Sequence, residues 1–136
     1  MTEGVNTVLL YSDDPAVRDQ MRMAVGARPA ADLTVRFVEA GTFDECVRLI
    51  DNGEVDLLLL DGEASPAGGL GISRQIHDEL DDVPPVLLTL ARAADKWLAA
   101  YARVDAVIRL PLDPIETGQT VAGLLRARAG GAALSA

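Results

Sequence analysis

Two acidic strand ends carry the chemistry this sequence could perform. The run Val55 to Leu60 is almost wholly apolar, shows no alternation, and is followed at once by Asp61. Such a run marks a strand buried on both faces. A second run, Thr7 to Tyr11, ends on Ser12, Asp13 and Asp14. In an open parallel sheet, binding and catalysis sit outside the carboxyl ends of the strands. Two strands that deliver carboxylates to one edge therefore predict a small acidic pocket around Asp61 and Asp13. Hard oxygen ligands of this kind suit a divalent cation such as Mg²⁺, held weakly by that pair.

The elements that must position those residues alternate along the chain. Asp14 is placed to cap a helix that starts at Pro15 and runs to about Ala27. Leu33 to Val38 reads as a short edge strand. Thr42 and Glu45 form a capping box, and Phe43, Cys46, Val47 and Ile50 follow at helical spacing until Asn52-Gly53. A helix after Gly71 buries Ile72, Ile76 and Leu80 and stops before Pro84-Pro85. Val86 to Leu90 and Ala106 to Leu110 are the remaining strands. A helix over about Ala94 to Ala102 lies between them, and a last helix covers Pro114 to Ala127. Alternating strands and helices predict an α/β fold with a parallel sheet covered on both faces. The five-stranded flavodoxin-like order 2-1-3-4-5, with five helices, is the expected solution.

Composition bounds the function classes. A chain of 136 residues makes one domain with one core. Residues 1–129 are assigned to that domain and 130–136 to a flexible tail. The net charge of −9, from 21 acidic and 12 basic side chains, argues against direct nucleic-acid binding. No apolar run is long enough for a membrane span. The start, Met1 to Thr7, lacks the basic region of a signal peptide, and a single cysteine cannot form an internal disulfide. The expectation is a cytoplasmic protein.

The segments Thr7 to Met21, Val55 to Gly71, Pro84 to Arg92 and Asp105 to Pro114 resemble the receiver domain of bacterial response regulators. They correspond to its first strand with the acidic corner, its third strand with the phosphoacceptor Asp, its fourth strand, and its fifth strand with a Lys-Pro corner. The likeness covers about residues 6–127. Asp61 to Ile72 and Pro111 to Ile115 further resemble a group of actinobacterial orphan, stand-alone receivers. The resemblance implies that Asp61 occupies the phosphoacceptor position and Asp13 that of the main Mg²⁺-binding acid.

Several other family positions are altered. Ser12 stands where the second acid belongs, so one carboxylate is missing. Glu63 either reaches the mouth of the pocket and restores that charge or is a solvated loop carboxylate. Counting back from Pro111 puts Leu110 at the family's lysine. Counting on from Pro85 puts Leu90 at its Ser/Thr. Arg109 and Thr89 are each one residue away, and a one-residue offset turns a strand side chain to the opposite face. Val107 replaces an aromatic residue common in the family. Losing a preorganised donor from a site that stabilises transferring charge commonly costs about 10²- to 10³-fold in rate. Together these replacements predict that Asp61 is an inactive phosphoacceptor.

Other residues are bland. His77 fits a solvated helix face, Cys46 fits the core, and Gly68 to Gly71 reads as a turn, since no P-loop or dinucleotide pattern continues from it. Trp97 and Tyr101 share one helical face, with Leu98 nearby. In receivers the fourth helix, fifth strand and fifth helix form the output surface. Trp97, Leu98 and Tyr101 are therefore candidate anchors for a protein partner, although a Trp facing a sheet also serves as core. The expected function is a stand-alone, degenerate receiver that works as a phosphorylation-independent interaction module. It is not an enzyme and requires no cofactor beyond weakly bound Mg²⁺. The alternative is a two-component response regulator phosphorylated on Asp61. A Mg²⁺-dependent hydrolase has no evident base or cationic clamp. Resemblance to the orphan receivers implies one partner, the respiratory NADH dehydrogenase, and with it a peripheral place at the inner face of the membrane.

Overall fold

The computed structural model describes residues 5–64, 68–91 and 100–135. Five strands form one parallel sheet: β1 (Val5–Tyr11), β2 (Thr34–Ala40), β3 (Leu57–Asp61), β4 (Val86–Leu90) and β5 (Ala106–Arg109). Their order is β2-β1-β3-β4-β5, the flavodoxin-like arrangement expected from the alternating pattern. The helices are α1 (Pro15–Val25), α2 (Phe43–Asp51) and α3 (Gly69–Glu79), then α4, of which residues 100–102 are described, and α5 (Pro114–Ser135). Trp97 and Leu98 lie outside the described residues.

The central strands β3 and β4 are buried at every position because both their faces are covered. Leu57 and Leu59 of β3 pack with Val8, Leu10, Leu87 and Ile108 beneath Met21 of α1 and Val121 and Leu125 of α5. Leu58 and Leu60 point the other way, into a second cluster with Leu9, Tyr11, Leu88 and Leu90, closed by Cys46 and Ile50 of α2 and Ile72 and Ile76 of α3. Burying a Leu or Ile side chain is worth roughly 1.5–3 kcal/mol, so these two layers dominate the driving force for the fold.

Local signals fix the helix starts. Asp14 Oδ1 accepts from Ala16 N at 2.9 Å, and Pro15 opens α1, where a missing N–H costs nothing. Thr42 Oγ1 accepts from Glu45 N at 3.2 Å. The return bond of the box is displaced by one residue, because Glu45 Oε1 accepts from Gly41 N at 2.9 Å. Three helix boundaries differ from expectation. α1 ends at Val25, where Gly26 takes a positive φ of 72°. α3 begins three residues early, at Gly69, where a Cβ would stand 2.7 Å from Leu88 Cδ1 and 3.0 Å from Leu60 Cβ. α5 does not stop near Ala127. Its backbone stays helical to Ser135, because the small Ala- and Gly-rich stretch carries no proline to break it.

Candidate functional site at the carboxyl edge of the sheet

β3 delivers Asp61 to the carboxyl edge with only 5% of its surface exposed. Both its oxygens are engaged. Ser12 Oγ donates to Oδ2 at 2.8 Å, and Glu63 N donates to Oδ1 at 2.8 Å. Ser12, fully buried at the end of β1, also accepts from Asp14 N through the same hydroxyl at 3.1 Å. One side chain thus ties the end of β3 to the start of α1. Its backbone is pinned as well: Ser12 N donates to Ala40 O at 3.2 Å, and Ser12 O accepts from Arg18 Nη1 at 2.6 Å. Arg18 Nε in turn donates to Glu39 Oε1 at 2.8 Å.

A cavity of about 300 Å³ opens beside this carboxylate, and Asp13, Asp14, Asp61 and Glu63 all line it. The shared acidic pocket expected of Asp13 and Asp61 is therefore present. Asp14 spends one oxygen on capping α1. Glu63 takes a middle course between its two expected roles. Its side chain lines the cavity, yet Oε2 accepts from Ala91 N at 3.2 Å and so bridges the β3 and β4 ends. Among the described residues no three carboxylate, His or Cys side chains converge as a metal cage.

The opposite wall corrects one assignment and supports another. Leu110 lines the cavity with Leu112, as the count from Pro111 implies. Arg109 is exposed and pairs in register with Leu90, which puts both on the far face of the sheet. Leu90 does not enter the pocket. It packs in the cluster of Leu60 and Leu88, and Thr89 lines the cavity instead. The reason is register: Asp61 lies opposite Thr89 in the parallel ladder, so the two side chains share a face. Counting from Pro85 assumed one more residue between the proline and the pocket. Thr89 is buried, and Oγ1 donates to Leu60 O at a long 3.5 Å. A hydroxyl is thus present at the site; a cationic side chain is not among its described lining residues.

Val17, Gln20 and Met21 of α1 complete the wall, and sequence reading missed them. The signal was available: Val17 and Met21 follow the Asp14 cap at i+3 and i+7, on the helix face above the strand ends. Tyr11, buried just before Ser12, has its phenol pKa raised, chiefly by burial and then by the charges of Cys46, Asp13 and Asp61. The buried Cys46 thiol is pushed up to about 12 by burial and by Glu45, so it is inert packing, as expected. His77 Nδ1 donates to Ser73 O at 2.8 Å within α3, away from the acidic edge.

Tyr101, at the end of α4, is 54% exposed, as expected of an outward-facing side chain. The Arg74 guanidinium of α3 sits 4.7 Å from its ring centroid and donates to Tyr101 O at 3.1 Å. Ser73 Oγ donates to Ala102 O at 2.5 Å, docking the same end of α4 on α3. Tyr101 therefore stands on the α3 side of α4.

Sheet order, an acidic edge around a buried Asp and a hydroxyl on its face define a receiver-type α/β domain, and the chain belongs to the response regulator receiver family. It is 44% identical over 123 residues, 90% of its own length and 92% of the relative's, to an uncharacterized response regulatory protein of Mycobacterium tuberculosis, known from two strains. Solved structures with the same fold include a signal receiver domain from Vibrio parahaemolyticus, with a TM-score of 0.78, 16% identity and coverage of 96% of this chain and 98% of that one. A CheY-like receiver domain protein of Methanospirillum hungatei has a TM-score of 0.73 at 19% identity, covering 93% of this chain and 98% of that one. No family model matches the sequence. No helix among the described residues is long and apolar enough to cross a membrane.

Proposed function

We propose that this receiver is a stand-alone interaction module whose binding does not depend on phosphorylation of Asp61. The observation that carries the reading is the cavity wall opposite the acids: Leu110 and Leu112 stand where a phosphoryl group would need a cation. A phosphoryl group brings dispersed negative charge into a space already lined by Asp13, Asp14 and Glu63. Ser12 adds to this, since it supplies a hydrogen bond to Asp61 and no charge for Mg²⁺. The domain is a signalling or accessory unit and not an enzyme. Its partner surface is the end of α4, where Tyr101 is exposed and where Trp97 and Leu98 precede it in sequence; the Arg74 contact turns Tyr101 toward α3 and away from the α4–β5–α5 face expected of it. A place on the respiratory NADH dehydrogenase, peripheral at the inner face of the membrane, follows from resemblance to the orphan receivers alone. Affinity capture from membranes and cytosol tests it, and recovery of no dehydrogenase subunit would remove it.

One observation favours a second reading, a phospho-accepting regulator: the Thr89 hydroxyl lies on the face of Asp61. A single experiment separates the two. Incubation with acetyl phosphate and Mg²⁺ is expected to leave Asp61 unmodified by mass spectrometry, and beryllofluoride to leave the oligomeric state unchanged. Stoichiometric modification that disappears in Asp61→Asn would establish the second reading.

A further inference from the structure

The acidic cavity continues into a larger apolar groove. The groove, about 650 Å³, is lined by Met23 and Ala24 of α1, by Ala91 after β4, and by Leu110, Pro111 and Leu112 after β5. The two spaces share Gln20, Leu110 and Leu112, so they form one trough with an acidic end and an apolar end. Met23 and Ile115 flank this side of the molecule with 80% and 70% of their surface exposed. Exposed side chains of that size beside an open apolar groove are a feature of binding surfaces. Among the described residues of α4, 100–102, none lines the trough.

Charge selects the occupant. The acidic end carries four carboxylates, and the cavity's described lining contains no cation. Arg18, at the same sheet edge, is committed to Ser12 O and to Glu39. Asp113 and Glu116 add exposed negative charge at the start of α5, while Asp19 on α1 is paired with Arg22. A second copy of a chain with net charge −9 would bring like charge to that rim, and so would nucleic acid or an anionic membrane. A long basic side chain fits both ends at once. Its methylene stem can lie along Val17, Met21, Leu110 and Leu112 while its head reaches Asp13 and Asp61.

We propose that this trough docks a basic amphipathic segment of a partner protein, which inserts a Lys or Arg into the acidic cavity and lays apolar side chains along the Met23–Pro111 groove. The partner thereby supplies in trans the positive charge that Leu110 does not. The inference rests on the interaction-module reading but names a surface separate from the α4 end.

The test uses two labelled amphipathic peptides, one built from Lys and Leu and one from Glu and Leu, titrated into the protein with methyl groups observed by NMR. The Lys peptide should bind and shift the methyl signals of Leu110, Leu112 and Met23, and the Glu peptide should not bind. Asp13→Asn with Glu63→Gln should weaken the Lys peptide by about tenfold, the size typical of a lost partner charge. Asp81→Asn with Asp82→Asn removes the same charge from a distant exposed site and should leave binding unchanged. Leu110→Lys should compete, by placing an ammonium in the cavity in cis, and should abolish binding. Equal binding of both peptides, equal effects of the two charge-removing pairs, or shifts centred on Tyr101 would each overturn the proposal. Should Leu110→Lys fail to fold, the two charge-removing pairs still decide. If Asp61 is phosphorylated by acetyl phosphate while the Lys peptide binds as described, the phosphorylation-independent reading falls and the trough stands.

Discussion

Replacing Ser12 by Ala should be far more costly than the loss of one small hydroxyl suggests. Oγ donates to the Asp61 carboxylate at 2.8 Å and accepts from Asp14 N at 3.1 Å, and the residue is fully buried. The substitution leaves a carboxylate oxygen without its donor inside the protein and frees an N–H at the start of α1. A hydrogen bond to a charged group contributes about 1.5–3 kcal/mol, and an unsatisfied buried group costs a comparable amount. We expect a loss of about 2–3 kcal/mol, which for a domain of this size is a fall of roughly 6–12 °C in Tm. Urea denaturation of Ser12→Ala, Asp61→Ala and the double variant measures the pair directly. Asp61→Ala alone can move either way, because it removes a buried charge together with its bonds. The coupling term isolates the contact and should reach about 1.5 kcal/mol or more. A coupling within about 0.5 kcal/mol of zero would show that the two residues are independent and that Ser12 does not tie β3 to α1.

Three further outcomes follow from the geometry. Gly62→Ala should destabilise the fold by more than about 1 kcal/mol, because a Cβ there would lie 2.4 Å from Leu90 Cδ2 and 2.5 Å from the Thr89 carbonyl oxygen. Truncating Leu90 as well should not restore stability, since the carbonyl stays; chemical denaturation of both variants reads this, and a neutral Gly62→Ala would contradict the close approach. Cys46, raised from an ordinary 9.0 to about 12 in the folded state, makes stability pH-dependent on the alkaline side. Below pH 9 both states hold the proton; above it only the unfolded chain releases it, so stability should fall by at most about 1.4 kcal/mol per pH unit towards pH 12. Cys46→Ala should flatten that slope between pH 9 and 10, before the raised Tyr11 phenol adds its own, and an unchanged slope would exclude the thiol. Tyr101→Ala should leave stability within about 1 kcal/mol, the worth of an exposed cation–π contact, yet weaken partner capture by about 2 kcal/mol if the α4 end is an anchor. Capture indistinguishable from the parent protein would move the interface elsewhere.

What was legible in the sequence was whatever depends on local pattern. The apolar run of β3 announces burial on both faces, and Asp14-Pro15 and Thr42–Glu45 announce two helix starts, all of which the structure reproduces. Asp61 and Asp13 could be placed together because strand ends in a parallel sheet share one edge. What failed was a property of two strands and not of one. Whether Thr89 or Leu90 faces Asp61 depends on which residues of β3 and β4 pair, and no feature of either strand alone fixes that pairing. Leu110 was placed correctly because Pro111 follows it directly, leaving no register to misjudge. The end of α5 was missed for a different reason: a run of Ala and Gly carries weak signals of either kind.

The corrected register sharpens the question of what Asp61 is for. With Thr89 on its face, the site keeps an acid, a neighbouring acid and a hydroxyl, so the features on which the proposed phosphorylation-independent reading rests narrow to Ser12 and Leu110. These act in the same direction. Acyl phosphate formation at Oδ2 would break the Ser12 bond, and at Oδ1 it would break the Glu63 N–H bond. Either way the new dianion would face Leu110, Leu112 and three further carboxylates. A cation entering the cavity meets the reverse situation: it keeps both bonds, shortens no like-charge distance and gains an apolar wall for its stem. Restoring a lysine at position 110 should therefore reverse the preference, making Asp61 accept phosphate from acetyl phosphate while excluding a cationic ligand. If Leu110→Lys folds and still takes no phosphate, the missing acid at Ser12 is the limiting defect, and Ser12→Asp combined with Leu110→Lys should then supply the activity.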